Sequence, residues 1–193
     1  MIRAFIAVEL SRELQDSLSG LISNLRKSIT GPLKWVDPRK IHLTLSFLGD
    51  VDSAGQPLLE TIMARTVNTR QSFTINSAGL GCFPNSRNPR VLWCGLTPVD
   101  QLRQVQSALA RELAENGYEI EDRPFSPHLT LARISGGLEP GANQRLIREI
   151  DSSRGVTYGS LTVGAISLIR SVLQPSGALY STLATARFKA DDV

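Results

Sequence analysis

The 193-residue sequence holds only two cysteines and two histidines. Cys82 and Cys94 have no histidine beside them, a set too poor for a zinc site, so no metal is expected. They read as reduced, partly buried thiols, with a Cys82–Cys94 disulfide as the alternative. No segment approaches the ~20 apolar residues of a membrane span. The apolar run from Ile2 to Val8 is closed by Glu9 and is too short for a signal-peptide core, which makes a cytoplasmic location the expectation. Glycine-rich phosphate loops and lysine-nucleophile motifs are missing too, which disfavours an ATP-driven enzyme. Charge is nearly balanced, 21 basic against 18 acidic residues for a net +3, a mild lean toward anionic partners without the dense basic tract of a nucleic-acid clamp. What remains is an ordinary globular composition, 41% apolar and 20% charged, on a chain long enough to bury a sizeable core.

The scarce histidines are not scattered. His42-Leu43-Thr44-Leu45 recurs as His128-Leu129-Thr130-Leu131, and ordinary Leu and Thr usage would repeat the three followers roughly once in a thousand cases. Strand geometry accounts for the pattern, because successive side chains point to opposite faces. In the first copy Ile41, Leu43, Leu45 and Phe47 form an apolar face for a core, and His42, Thr44 and Ser46 form a polar one. In the second, Leu129 and Leu131 turn inward while His128 and Thr130 stand on the other side. Two such faces meeting across a cleft make one site.

The flanking elements repeat as well. Ile2 to Val8 reads as a buried strand, followed by a helix capped by Ser11 and ending near Lys27, with Leu14, Leu18, Leu21, Ile22 and Leu25 as its stripe. A second helix is predicted from about Pro57 to Val67 and strands over Phe73–Leu80 and Arg90–Leu96, separated by a turn-rich loop that starts at Gly79. Thr97, Pro98 and Asp100 predict a capped third helix ending at Asn116-Gly117. A short strand over Tyr118–Arg123, a helix from about Asn143 to Ile150, and strands over Leu161–Ile169 and Leu179–Phe188 around the turn Pro175-Ser176-Gly177 complete the pass. From Ser11 to His42 is 31 positions, as it is from Thr97 to His128. The expected architecture is α+β and bilobal: one domain over 1–193, two related lobes each with a mainly antiparallel sheet and helices, strand-helix-strand units over about 2–48 and 90–134, and an active-site cleft between the lobes.

A facing pair of imidazoles suits general acid and base work, since histidine titrates near ~6.5. Opening a 2',3'-cyclic phosphate needs that pair, one group to deprotonate water and one to protonate the departing ribose oxygen. Thr44 and Thr130 can hold the non-bridging oxygens as charge builds. A lone strand histidine or threonine is more often structural, but structure alone has no use for the same polar pair twice.

With these residues the chain resembles the 2H phosphoesterases, specifically the RNA 2',3'-cyclic phosphodiesterases also called 2'-5' RNA ligases. The His-x-Thr-x motifs carry the likeness, with Arg3-Ala4-Phe5-Ile6-Ala7, Trp35-Val36, Phe47-Leu48-Gly49, Gly81-Cys82-Phe83-Pro84, Arg90-Val91-Leu92-Trp93, Ala132-Arg133 and the tail from Ser171 to Tyr180. The resemblance implies a bilobal fold, metal-independent and cofactor-free hydrolysis of RNA 2',3'-cyclic phosphate ends to 2'-phosphomonoesters, and in some members reversible 2'-5' ligation of tRNA halves. It implies His42 as proton donor, His128 as proton acceptor, and Thr44 and Thr130 as phosphate ligands. Arg133 is implied near the substrate, although strand parity places it with Leu129 and Leu131; either the strand is bulged or ended by then, or Arg133 is a surface charge. Arg87 and Arg90 are open between RNA contact and solvation. Trp35 and Phe47 offer rings for base stacking, with core the expected place for Phe47. The partners expected are RNA or nucleotide ends carrying a cyclic phosphate, with no membrane, bound by a monomer. The alternative from another class is a module that binds such an end without turning it over.

Overall fold

The computed structural model describes residues 1–175 and 177–189. The elements in chain order are β1 (Ile2–Glu9), α1 (Arg12–Ser28), β2 (Leu33–Trp35), a 3-10 turn (Pro38–Lys40), β3 (His42–Val51), a second 3-10 turn (Ser53–Gly55), α2 (Gln56–Val67), β4 (Phe73–Phe83), β5 (Val91–Thr97), α3 (Asp100–Glu115), β6 (His128–Ile134), α4 (Pro140–Ser152), β7 (Thr157–Val163), β8 (Ala165–Gln174) and β9 (Gly177–Arg187). All strand pairing between them is antiparallel. One sheet has the order β3-β1-β8-β9 and the other β2-β6-β5-β4-β7, so each His-Thr strand sits next to the strand that precedes its helix. The expected α+β, bilobal architecture is the one found.

The apolar faces of both sheets and the buried stripes of the helices form one contiguous core, from Ile6, Leu43 and Ile166 through Leu18, Leu59 and Leu109 to Leu92, Leu129 and Leu161. α1 packs on β7 and α4, α2 on α3, β8 and β9, α3 on β3, and α4 on β4. Ser11 caps α1 as read, its Oγ accepting from the Leu14 N–H at 3.3 Å. Cys94 is buried in this core and its thiol is pushed up to about 12 by desolvation. Cys82 and Cys94 are both free thiols. No helix among the described residues is long and apolar enough to cross a membrane.

Several local expectations are corrected, each by pairing that lies far away in sequence. Thr97 does not cap α3: its backbone stays in β5 opposite Asn76, and Val99 supplies the carbonyl for the first helical N–H, from Arg103. Tyr118–Arg123 forms no strand, because β2 already occupies the edge of the sheet beyond β6. Of the two or three strands that the tail offers, three form, because Leu161–Ile169 breaks at Gly164 where the chain leaves one sheet for the other: Val163 pairs with Phe73, and Ala165 with Arg187. The predicted turn at Pro175-Ser176-Gly177 includes Ser176, which lies outside the described residues. β4 runs through the glycines that suggested a loop, with Gly79 (φ +67°) as an extra residue in its ladder to β5.

That irregularity in β4 is anchored from α4. Gly79 N–H donates to the Val156 carbonyl at 3.0 Å, and Leu80 N–H to Ser153 Oγ at 2.8 Å. Ser153 Oγ donates in turn to the Ile150 carbonyl at 2.6 Å, and the side chain is buried. Ser153→Ala leaves the Leu80 N–H without this partner and is expected to destabilise the protein by about 1–3 kcal/mol, read as a lower urea midpoint at unchanged slope. An unaltered midpoint would show that the bond contributes nothing.

Candidate active site

Both His-Thr strands carry the same defect. Ala7 faces Thr44 and Ile6 faces Ser46, so Leu45 is an extra residue in β3. Trp93 faces Thr130 and Leu92 faces Ala132, so Leu131 is an extra residue in β6. In each case the extra residue is the third after the histidine. A one-residue bulge reverses the face of everything beyond it. Residues directly opposite share a face, so Phe47, opposite Phe5, lies on the same side as His42 and Thr44. Arg133, opposite Val91, joins His128 and Thr130.

This corrects one reading. Phe47 is 51% exposed rather than in the core, while Ser46, opposite Ile6, lies beside the cavity described below. The same register shift puts the exposed Arg133 on the face of the sheet that carries His128 and Thr130. The two motif strands touch each other across the sheets.

The imidazoles are held alike. His42 Nδ1 is 2.8 Å from the Lys40 carbonyl, and His128 Nδ1 is 2.7 Å from the Ser126 carbonyl. A carbonyl only accepts, so each Nδ1 carries the hydrogen, and the neutral ring has its lone pair on Nε2. Among the described residues neither Nε2 has a hydrogen-bond partner, and neither do the Thr44 and Thr130 hydroxyls. Rings fix the orientation. Phe5 stacks on His42 at 4.6 Å, with Tyr180 edge-on at 5.2 Å; Phe83 meets His128 edge-on at 4.9 Å, with Trp93 at 6.4 Å. Gly81 is glycine because a Cβ there would overlap the Trp93 ring, its cross-strand neighbour.

A cavity of about 300 Å³ opens between the sheets against Thr44, Phe47, Phe83, Phe125 and His128. His42, Thr130 and Arg133 do not line it, whereas Leu45, Ser46 and Ser126 do. Part of its wall comes from residues that the motif reading passed over. Ile120, Glu121, Arg123 and Pro124 belong to the irregular segment before β6, and Gln106 to α3. Their only sequence signal is that this segment leads directly into Pro127-His128. Trp35 packs partly against the core with the Arg26 guanidinium 5.8 Å above its ring, away from the site. Arg90 donates to the Gly136 carbonyl at 3.0 Å. Among the described residues no three His, Cys, Asp or Glu side chains converge in the manner of a metal site.

Burial pushes the His42 imidazole below its ordinary range. The Lys40 carbonyl and the Glu9 carboxylate, which sits directly across the ladder, act to raise it, and the Arg133 guanidinium lowers it again. Arg133 of one lobe therefore bears electrostatically on His42 of the other. His42 is expected to titrate by NMR below about 6.5. Removing the charge that favours the imidazolium, Glu9→Gln, moves the midpoint down, and Arg133→Gln moves it up. A midpoint at or above the ordinary value in the unaltered protein would contradict the desolvation.

Comparison with known proteins agrees over nearly the whole chain. The profile of LigT-like phosphoesterases matches residues 8–93 and 96–180. The RNA 2',3'-cyclic phosphodiesterase of Methanothermobacter thermautotrophicus is 34% identical over 186 residues, covering 96% of this chain and 98% of the relative. That of Aeropyrum pernix is 37% identical over 169 residues, covering 85% and 93%. Among solved structures, TT0787 of Thermus thermophilus superposes with a TM-score of 0.80 at 27% identity, covering 98% and 100%. Escherichia coli LigT superposes at 0.76 with 24% identity over 97% of this chain and 98% of its own, a likeness of fold. Matched fold, matched sequence over both halves and the paired His-Thr strands place this chain among the LigT-like phosphoesterases.

Proposed function

We propose that this phosphoesterase hydrolyses RNA 2',3'-cyclic phosphate ends to 2'-phosphomonoesters with His42 and His128 as its acid-base pair. The observation that carries the reading is the shared geometry of the two imidazoles. Each has Nδ1 fixed to the carbonyl two residues upstream and, among the described residues, an Nε2 and a threonine hydroxyl two residues along the strand that have no hydrogen-bond partner. The names of the relatives support the substrate class.

In this reading the cyclic phosphate lies between the two strands. Neutral His128 takes a proton from water through Nε2 as the oxygen attacks phosphorus. Protonated His42 gives its Nε2 proton to O3' as the P–O3' bond breaks, leaving the phosphate on O2'. Thr44 and Thr130 donate to the non-bridging oxygens, and Arg133 adds positive charge where negative charge grows. A lowered pKa makes His42 the stronger acid for this transfer. Phe47, turned outward beside the cavity, offers a face on which the terminal base stacks. A ribose 5'-hydroxyl in place of water gives a 2'-5' linkage through the same proton transfers, which makes ligation the second reaction of the same site. The two strand-helix-strand units are read as pseudo-twofold related parts of one domain, each supplying one His-Thr pair.

The test follows the end group of a short RNA 2',3'-cyclic phosphate by phosphorus NMR in EDTA. His42→Ala and His128→Ala are each expected to lose about 10²–10⁴-fold in kcat while the fold is retained. Thr44→Val and Thr130→Val should lose about 10²–10³-fold if each donates to the developing charge. The basic limb of kcat/KM reports the donor in the free enzyme, so it should move to higher pH in Arg133→Gln. Full turnover in both histidine variants would end the proposal, and RNA bound but recovered unchanged by the intact protein would make the cleft a binding module.

A further inference from the structure

Counting outward from the histidine strands, the orders β3-β1-β8-β9 and β6-β5-β4-β7 run in step, and β2 is the addition, lying at the edge beside β6. It is three residues long. Leu33 and Trp35 pack against the core, so alternation leaves Lys34 as the one side chain that this strand turns to the other face. Its register partner is Arg133, which the bulge at Leu131 brings to the cleft. The extra strand thus contributes one side chain to the site's face, and that side chain is a cation set directly opposite another cation.

Like charges directly opposite in a sheet are destabilising, and among the described residues no ion pair offsets this one. Among the described residues neither Lys34 nor Arg133 forms an ion pair; the ion pairs present, Arg103–Asp100, Arg111–Glu115 and Arg154–Asp151, all join residues three or four apart. Beyond β2 the Val36 N–H continues the pairing to the Leu131 carbonyl. Asp37, the single acid between Lys34 and His42, accepts from the Arg39 N–H. Lys40 donates to the Ala178 carbonyl at 3.1 Å, which commits that ammonium to the protein and leaves Lys34 uncommitted. Lys34 and Arg133 therefore make this part of the site's face cationic, apart from the cavity lined by Phe47, Phe83 and Phe125.

We infer that Lys34, beside Arg133, is a subsite for the phosphodiester backbone of the RNA that leads to the terminal phosphate, so that the protein favours a polynucleotide over a mononucleotide with the same end. The inference rests on the proposed RNA-end reading. Arg133 meets the terminal phosphate, and Lys34, one strand further out, meets the next negative charge along the chain. A mononucleotide carries no such charge and gains nothing from Lys34.

The experiment measures binding, so it is read without turnover. A labelled short RNA ending in a 2'-phosphate is titrated by fluorescence anisotropy across a range of salt, and a nucleoside 2'-monophosphate is run as competitor, with the intact protein, Lys34→Gln and Lys34→Arg. Lys34→Gln is expected to weaken RNA about five-fold at low salt and to flatten the slope of log affinity on log salt by about 0.7, the value for one contact on a single strand. Mononucleotide binding should be unchanged, and Lys34→Arg should retain both. Unchanged RNA affinity and slope in Lys34→Gln would overturn the subsite. Equal losses for RNA and mononucleotide would overturn it too, moving Lys34 to the terminal phosphate. RNA held through Lys34 by a protein that leaves cyclic phosphate intact would sink the hydrolase reading and keep the subsite.

Discussion

A β-strand shows alternate residues to each of its faces, and a site built on one face can draw only on every second residue unless the strand is interrupted. Both motif strands are interrupted at the same place, by one extra leucine after the threonine. Leu45 and Leu131 remain buried, so the core closes beneath the defect, while the residues next past it change sides, in β3 as far as a second shift at Leu48. The histidine and threonine before the bulge and the residue five positions after the histidine then share one face. In β3 that last residue is Phe47 and in β6 it is Arg133. The same backbone device thus delivers an apolar ring from one lobe and a cation from the other.

The histidines are positioned by local bonds as much as by the sheets. In both copies the ring turns back on the carbonyl two residues earlier, reached from the 3-10 turn before His42 and from the Ser126-Pro127 approach to His128. Such a bond sets which nitrogen carries the hydrogen and aims the other away from the strand. Aromatic contacts then restrict rotation, from Phe5 and Tyr180 on one side and Phe83 and Trp93 on the other. The two environments are not equal. His42 is withdrawn from water, which together with the Arg133 guanidinium lowers its pKa, while the Lys40 carbonyl and the Glu9 carboxylate act against that shift.

The lobes face each other across the site but do not have separate interiors. One core runs beneath both sheets, and the helices lie against it. α1 leaves the first sheet and packs on β7 of the second, and the chain returns from β7 to β8 at Gly164. With the sheets tied together on their inner faces, the outer faces keep a fixed spacing. That constraint allows a guanidinium on β6 to act on an imidazole on β3.

Much of the site was legible in the sequence because its pattern is local. A duplicated His-x-Thr in an apolar alternation identifies two strands with one polar face each, and strand geometry alone puts histidine and threonine together. The stripe of α1 and the Ser11 cap were legible for the same reason, since each depends on residues three or four apart. The tertiary structure decided what depends on a partner elsewhere in the chain. Thr97 stayed in β5 because Asn76 pairs with it, Tyr118–Arg123 formed no strand because β2 holds the edge it would need, and Leu161–Ile169 divided because its halves pair in different sheets. Phe47 and Arg133 went to the cleft because their strands are bulged against β1 and β5. A bulge is a mismatch between two strands, and a strand read alone carries no sign of how many residues its neighbour will set against it.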